Sequence, residues 1–143
     1  MTGIVLCALD TSEPDHEEPV LRRAAEIADL DGARLDVLTV VPSYGNAMVG
    51  SYFGPDFHAK VMSDAKGALV KFCEQVLGAG RNASIRHLVD TGSIYERILH
   101  AARVDKATVI VIGSHRPDLS DYLLGPNAAR VVRHAGCSVF VVR

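Results

Sequence analysis

The sequence predicts an α/β fold: a single doubly wound, Rossmann-like domain, with a five-stranded parallel sheet and helices on both faces. Three observations predict it. Five short apolar runs alternate with four segments of helical spacing. The first, fourth and fifth runs are almost continuously apolar, the pattern of strands covered on both faces. The alternation is interrupted by no domain boundary and no internal repeat, so residues 1–143 are expected to form one domain.

The expected strands are Ile4–Leu9, Arg34–Val41, Ser84–Val89, Thr108–Ile112 and Ser138–Val142. The second and third alternate more and carry charges, as strands nearer an edge do. Four helices are expected between them. Val20–Leu30 places Leu21, Ala24, Ala25 and Ala28 on one side, with Gly32 as its stop. Asp56–Leu77 repeats apolar residues at Val61, Ala65, Leu69, Phe72, Cys73 and Val76, with Gly78 and Gly80 closing it. Ser93–Val104 carries Ile94, Ile98, Leu99 and Ala102 behind a capping serine. Pro126–Ala135 carries Ala128, Val131 and Val132 and ends at Gly136. Right-handed crossovers then give the strand order 3-2-1-4-5. Residues 42–57 are rich in Gly, Pro and aromatics without a clear period, and read as a lid, an interface element or a mobile connection.

Composition narrows the function classes. A hydrophobic fraction of 48% and a charged fraction of 22% are ordinary globular values. A formal net charge of -2 points to neither nucleic acid nor an anionic membrane surface. No apolar run approaches the roughly 20 residues needed to span a bilayer. The Ile4–Leu9 run is interrupted at Asp10 and lacks the flanks of a signal peptide. Cys7, Cys73 and Cys137 are odd in number and widely spaced, which suits neither a disulfide framework nor a metal site. The histidines lack metal-ligand spacing, and a reduced, cytoplasmic location is the default expectation.

In an open α/β sheet, ligands bind outside the carboxyl ends of the strands, where the strand order reverses. Here that point lies between strands one and four. Ala8-Leu9-Asp10-Thr11-Ser12 and Ile112-Gly113-Ser114-His115-Arg116 converge there. Gly113 lets the backbone turn and approach a ligand closely. Gly125 precedes a helix whose first amides, at Asn127 and Ala128, have no intrahelical acceptor and attract anions. Spacing alone leaves a second reading open: the glycines as ordinary punctuation, Asp10 and Ser12 as a turn, His115 and Arg116 as solvated loop residues.

These residues also carry a resemblance. The opening Ile4-Val-Leu-Cys-Ala-Leu-Asp10-Thr-Ser12, the segment Leu38-Thr-Val-Val-Pro42, the turn Asp90-Thr-Gly-Ser93 and above all the tail from Ile112 to Arg143 resemble the universal stress protein family over essentially the whole chain. The tail is similar to a short single-domain bacterial subgroup with a Ser-His-Arg-Pro turn. The resemblance implies a small cytoplasmic stress-response protein binding ATP or AMP, with Mg2+ left open as a companion ion. It implies that Asp10 contacts adenine or ribose, that Ala8, Leu9 and Val40 surround the base, and that Ile112 and Gly113 pass beneath the ribose. Gly125, Asn127 and Ala128 would hold phosphates. Three departures from the family's G-x2-G-x9-G-(S/T) motif stand out. Arg116 replaces the second glycine, the gap to Gly125 is one residue shorter, and Pro126 replaces the final Ser or Thr. Proline removes a hydroxyl and a backbone donor, while Arg116 offers a charged phosphate ligand in return.

No nucleophile with a paired base is visible, so a regulatory module without catalytic residues or a metal site is expected. Asp118, Asp121 and His115 share one loop without forming such a set. A nucleotide-free interaction protein and a weak ATPase are the alternatives. The last strand should be an exposed edge, which favours a homodimer through Ser138–Val142 beside an unidentified protein partner.

Overall fold

The computed structural model describes residues 3–42, 47–114 and 125–143. The chain order is β1 (Ile4–Leu9), α1 (Pro14–Asp31), β2 (Arg34–Pro42), α2 (Ala47–Leu77), α3 (Ala79–Asn82), β3 (Arg86–Gly92), α4 (Ile94–Asp105), β4 (Val109–Gly113), α5 (Pro126–His134) and β5 (Ser138–Val142). The strands form one sheet in the order β3-β2-β1-β4-β5. All four pairings are parallel. Fold class and strand order agree with the sequence expectation.

The central strand explains why. Val5, Cys7 and Leu9 of β1 enter a core shared with Leu21, Ala24 and Ala28 of α1 and Leu69 and Cys73 of α2. Leu6 and Ala8 enter a second core on the opposite face, with Ile98 and Ala102 of α4 and Val131 of α5. Side chains alternate between the two faces of a strand, so a continuously apolar run is the sequence of a strand with two buried faces. A one-residue slip of β1 would exchange two cores at once.

Three elements depart from the expected boundaries. Helix α1 begins at Pro14, one and a half turns before Val20. Proline suits the first helical position because its φ is preset and its missing N–H has no intrahelical acceptor there anyway. Pro19, inside the helix, forfeits one hydrogen bond near its start. Helix α2 begins at Ala47, so most of residues 42–57 is helical rather than irregular. The strong apolar spacing from Val61 onward nucleates the helix, and each further residue then needs only propagation, which tolerates weak formers. Strand β3 starts two residues later than expected and ends three later, at Gly92, where φ is +132°, a backbone geometry that favours glycine.

Candidate functional site

The carboxyl ends of β1, β2 and β4 open into one crevice of about 420 Å3. The crossover after β3 carries the chain to the other side of β1, so α1 and α4 diverge on opposite faces and leave the gap between them. Its apolar wall comes from Ala8 and Leu9 of β1, Leu38 and Val40 of β2, Ile94 and Ile98 of α4 and Ile112 of β4. Ala8 lies directly between Leu38 and Ile112 in the sheet register. Its polar lining comes from Asp10, Thr11 and Ser12 after β1, Glu17 of α1, Ser114 after β4 and Asn127 of α5.

The loop after β1 is locked by its own aspartate. Asp10 Oδ1 accepts the Ser12 N–H at 3.0 Å and the Ser12 hydroxyl at 2.6 Å. The Asp10 carbonyl accepts the Glu13 N–H at 3.1 Å. This is an Asx turn, and it fixes the carboxylate at the crevice mouth. Asp10 thus serves both of its sequence readings, as turn former and as lining residue.

Across the crevice, Gly125 is the N-cap of α5 and carries no side chain to satisfy the first turn. Its carbonyl accepts the Ala129 N–H at 2.9 Å. The amides of Asn127 and Ala128 therefore have no acceptor within the helix, and both residues line the crevice. The positive end of the helix dipole adds to them. Pro126, at the first helical position, contributes no donor.

Gly113 also has a packing role. It lies outside the residues with positive φ, so no turn geometry demands glycine there. A Cβ at this position would stand 3.0 Å from Val20 Cγ2 and 3.3 Å from Glu17 Oε2. Its missing side chain lets α1 pack against the end of β4. The neighbouring Ser114 is buried, and its N–H donates to the Val142 carbonyl at 3.0 Å.

Of the residues singled out in the sequence, Ala8, Leu9, Asp10, Val40, Ile112, Gly113, Gly125, Asn127 and Ala128 are brought together in this crevice. Arg116 lies outside the described residues, as do His115, Asp118 and Asp121. Among the described residues no group of three metal-ligating side chains forms a metal cluster. No helix among them is long and apolar enough to cross a membrane.

Glu17 is a charged lining residue that the sequence did not single out, beside apolar ones such as Leu38 and Ile98. Its Oε1 accepts the Asp10 backbone N–H at 2.9 Å. Burial pushes its carboxyl up to about 7, the Asp10 N–H opposes that shift, and the carboxylates of Asp10 and Glu13 add to it. The signal was present in the helical period. Glu17 stands three and four residues before Val20 and Leu21, on the same stripe as Ala24 and Ala28, all four of which are buried. An acid on the buried stripe of a helix is a site signal in its own right.

The Universal stress protein family model matches residues 1–143. Universal stress protein G of Shigella flexneri is 31% identical over 148 residues, covering 100% of each chain. The structure of universal stress protein UspA from Lactobacillus plantarum has a TM-score of 0.77 at 22% identity, covering 99% of this chain and 97% of that one. The universal stress protein from Archaeoglobus fulgidus in complex with dAMP has a TM-score of 0.65 at 23% identity, covering 100% of this chain and 98% of that one. Matched over its whole length by that family model and by a relative 31% identical, the chain belongs to the universal stress protein family.

Proposed function

We propose that the chain binds an adenine nucleotide, AMP or ATP, in the crevice at the carboxyl ends of β1 and β4, and acts as a cytoplasmic regulatory module of the stress response. One observation carries this reading: an apolar slot of about 420 Å3 ends at the unsatisfied amides of Asn127 and Ala128. A purine fits the slot between Ala8, Leu9 and Val40, with Asp10 positioned for the ribose or the base edge. Ile112 and Gly113 form the floor beneath the sugar. Gly125, Asn127 and Ala128 receive the phosphates at a helix N-terminus, and Arg116 supplies the cation that the described part of the loop lacks. The dAMP complex of the Archaeoglobus fulgidus relative supports the ligand class. Mg2+ would accompany a triphosphate.

Pro126 weakens phosphate binding without removing the slot. One lost hydrogen bond to a charged group is worth roughly 1.5–3 kcal/mol, about one to two decades in affinity. Titration calorimetry with AMP and ATP up to millimolar concentration tests the proposal. Measurable heat is expected, and a flat trace from folded protein refutes it. The sheet edge at β5 also favours a homodimer, since the strand is half-buried and Phe140 is exposed. A monomeric mass by light scattering at micromolar concentration would exclude that assembly.

A further inference from the structure

The floor of the crevice holds a carboxylate where an anion-binding site is expected to hold a cation. Glu17 reaches from α1 between the ends of β1 and β4. Its Oε1 is fixed on the Asp10 N–H at 2.9 Å. Its Oε2 would stand 3.3 Å from a Cβ placed at Gly113. The hydrogen bond fixes the group and the missing side chain of Gly113 leaves room for it, so the carboxylate lines the crevice beside the end of β4. Among the described residues, the charges that shift its titration are both negative. From the loop after β1 comes the Asp10 carboxylate, from the start of α1 comes Glu13, and from β1 the buried Cys7 thiol, itself pushed up by burial and by Glu17. Gly113 of β4 brings backbone alone, and residues 138–142 of β5 contain no titratable side chain.

A phosphate placed beside an ionised carboxylate in a low-dielectric crevice is repelled, and the repulsion is relieved by protonating the weaker acid. We infer that an anionic nucleotide enters this crevice together with one proton, taken up by the Glu17 carboxylate, so that occupancy of the site reports pH as well as ligand concentration. The inference rests on the nucleotide reading of the same crevice. In the step, Glu17 passes from carboxylate to carboxylic acid using a solvent proton, and no other bond changes. The acid keeps one oxygen for the Asp10 N–H and gains an O–H donor toward the ligand. Burial already brings this group to about 7, so the coupling falls at neutral pH.

The experiment is calorimetric titration of the full chain with AMP in EDTA at pH 6, 7 and 8, each in two buffers of different ionisation heat. AMP itself titrates near pH 6, so Glu17→Gln, which retains an acceptor for the Asp10 N–H, supplies the baseline. Relative to that variant, the wild-type chain should lose about tenfold in affinity from pH 6 to pH 8, with net proton uptake approaching one at pH 8. Identical pH slopes in the two proteins overturn the inference while leaving nucleotide binding intact. Absence of binding to both proteins at every pH overturns the nucleotide reading, and the inference with it. Carbon-13 NMR of the Glu17 carboxyl in the wild-type chain checks the same point without substitution. Its titration midpoint should rise by about two pH units or more when AMP is added, and an unmoved midpoint refutes the coupling.

Discussion

The two ends of this sheet each enclose carboxyl groups, and they stabilise them in opposite ways. At the amino end, Asp36 of β2 is fully buried, yet Arg34 holds it through two hydrogen bonds, at 2.8 and 3.0 Å. Arg86 lies 3.8 Å from Asp36 and 3.2 Å from Asp105. Burial works to raise the Asp36 carboxyl, but hydrogen bonds from Arg34 and Asp105 and the charges of Arg34 and Arg86 outweigh it and the group is held low. Asp105 is pushed up to about 6, by burial first and then by its neighbour Asp36. Its Oδ2 is buried without a hydrogen-bond partner, the place a shared proton would fill. At the carboxyl end, Glu17 has a backbone N–H and two acidic neighbours instead. At the amino end arginines pair with both carboxyl groups, although one Asp105 oxygen stays without a partner. The carboxyl end leaves its charge balance incomplete at Glu17, the kind of perturbed acid that marks a candidate site.

The strongest way to break this contrast is at the amino end. Asp36→Ala should destabilise the chain by about 3 kcal/mol in urea unfolding, because two charged hydrogen bonds from Arg34 to a buried carboxylate are lost. Affinity at the distant crevice should change little. A variant as stable as the wild type would show that the arginines re-pair with Asp105 or with solvent. Next in size is Gly113→Val. Its Cβ would press on Val20 and Glu17, so a loss of about 2–3 kcal/mol is expected from overpacking, with nucleotide affinity falling alongside. Retained affinity would separate the packing role of Gly113 from the site.

Glu17→Gln sharpens the comparison through pH. The folded chain holds this carboxyl at about 7 against an ordinary value of 4.5. Ionising it therefore works against folding. The loss accrues as pH rises from 4.5 to 7 and is complete above that. At pH 4 the carboxyl is protonated in both states and contributes no difference. The variant should gain about 2 kcal/mol on the wild type between pH 4 and pH 8 after allowance for solvent screening, read from urea midpoints. A pH-independent difference would show that Glu17 is ionised in the folded state. The smallest effect belongs to Pro126→Ser, which restores a backbone donor and a hydroxyl at the first position of α5. AMP affinity should rise about tenfold, equivalent to about 1.4 kcal/mol. Unchanged affinity would place the phosphates away from α5.

The sheet was legible in the sequence because burial on two faces writes itself as unbroken apolar runs, as in Val5–Leu9 and Val109–Ile112. The site was legible in part. Gly125, Asn127 and Ala128 announce a helix start, and Asp10 closes an apolar run. What stayed hidden lies in three dimensions. Glu17 belongs to the crevice because Gly113, 96 positions away, leaves room for it. Nothing local to either residue records that fit. The start of α2 was hidden for another reason. Gly50, Gly54 and Pro55 signal a loop by local preference, and the long apolar stripe behind them overrides it.

The position of β1 also sets when the site comes into being. Ile4 accepts hydrogen bonds from the Thr108 N–H at 2.8 Å and its hydroxyl at 3.1 Å, across 104 positions of chain. A folding intermediate that has joined β1, β2 and β3 has one wall of the crevice and no floor. The second wall arrives only after the long loop closes and β4 docks, a step slowed by its entropy. A nucleotide therefore has no complete surface to recognise until folding is essentially finished. Ligand at a hundredfold excess over Kd would add about 2.7 kcal/mol to the finished state alone. A ligand that needs both walls would therefore stabilise only the completed chain, and add nothing to one in which β4 has yet to dock.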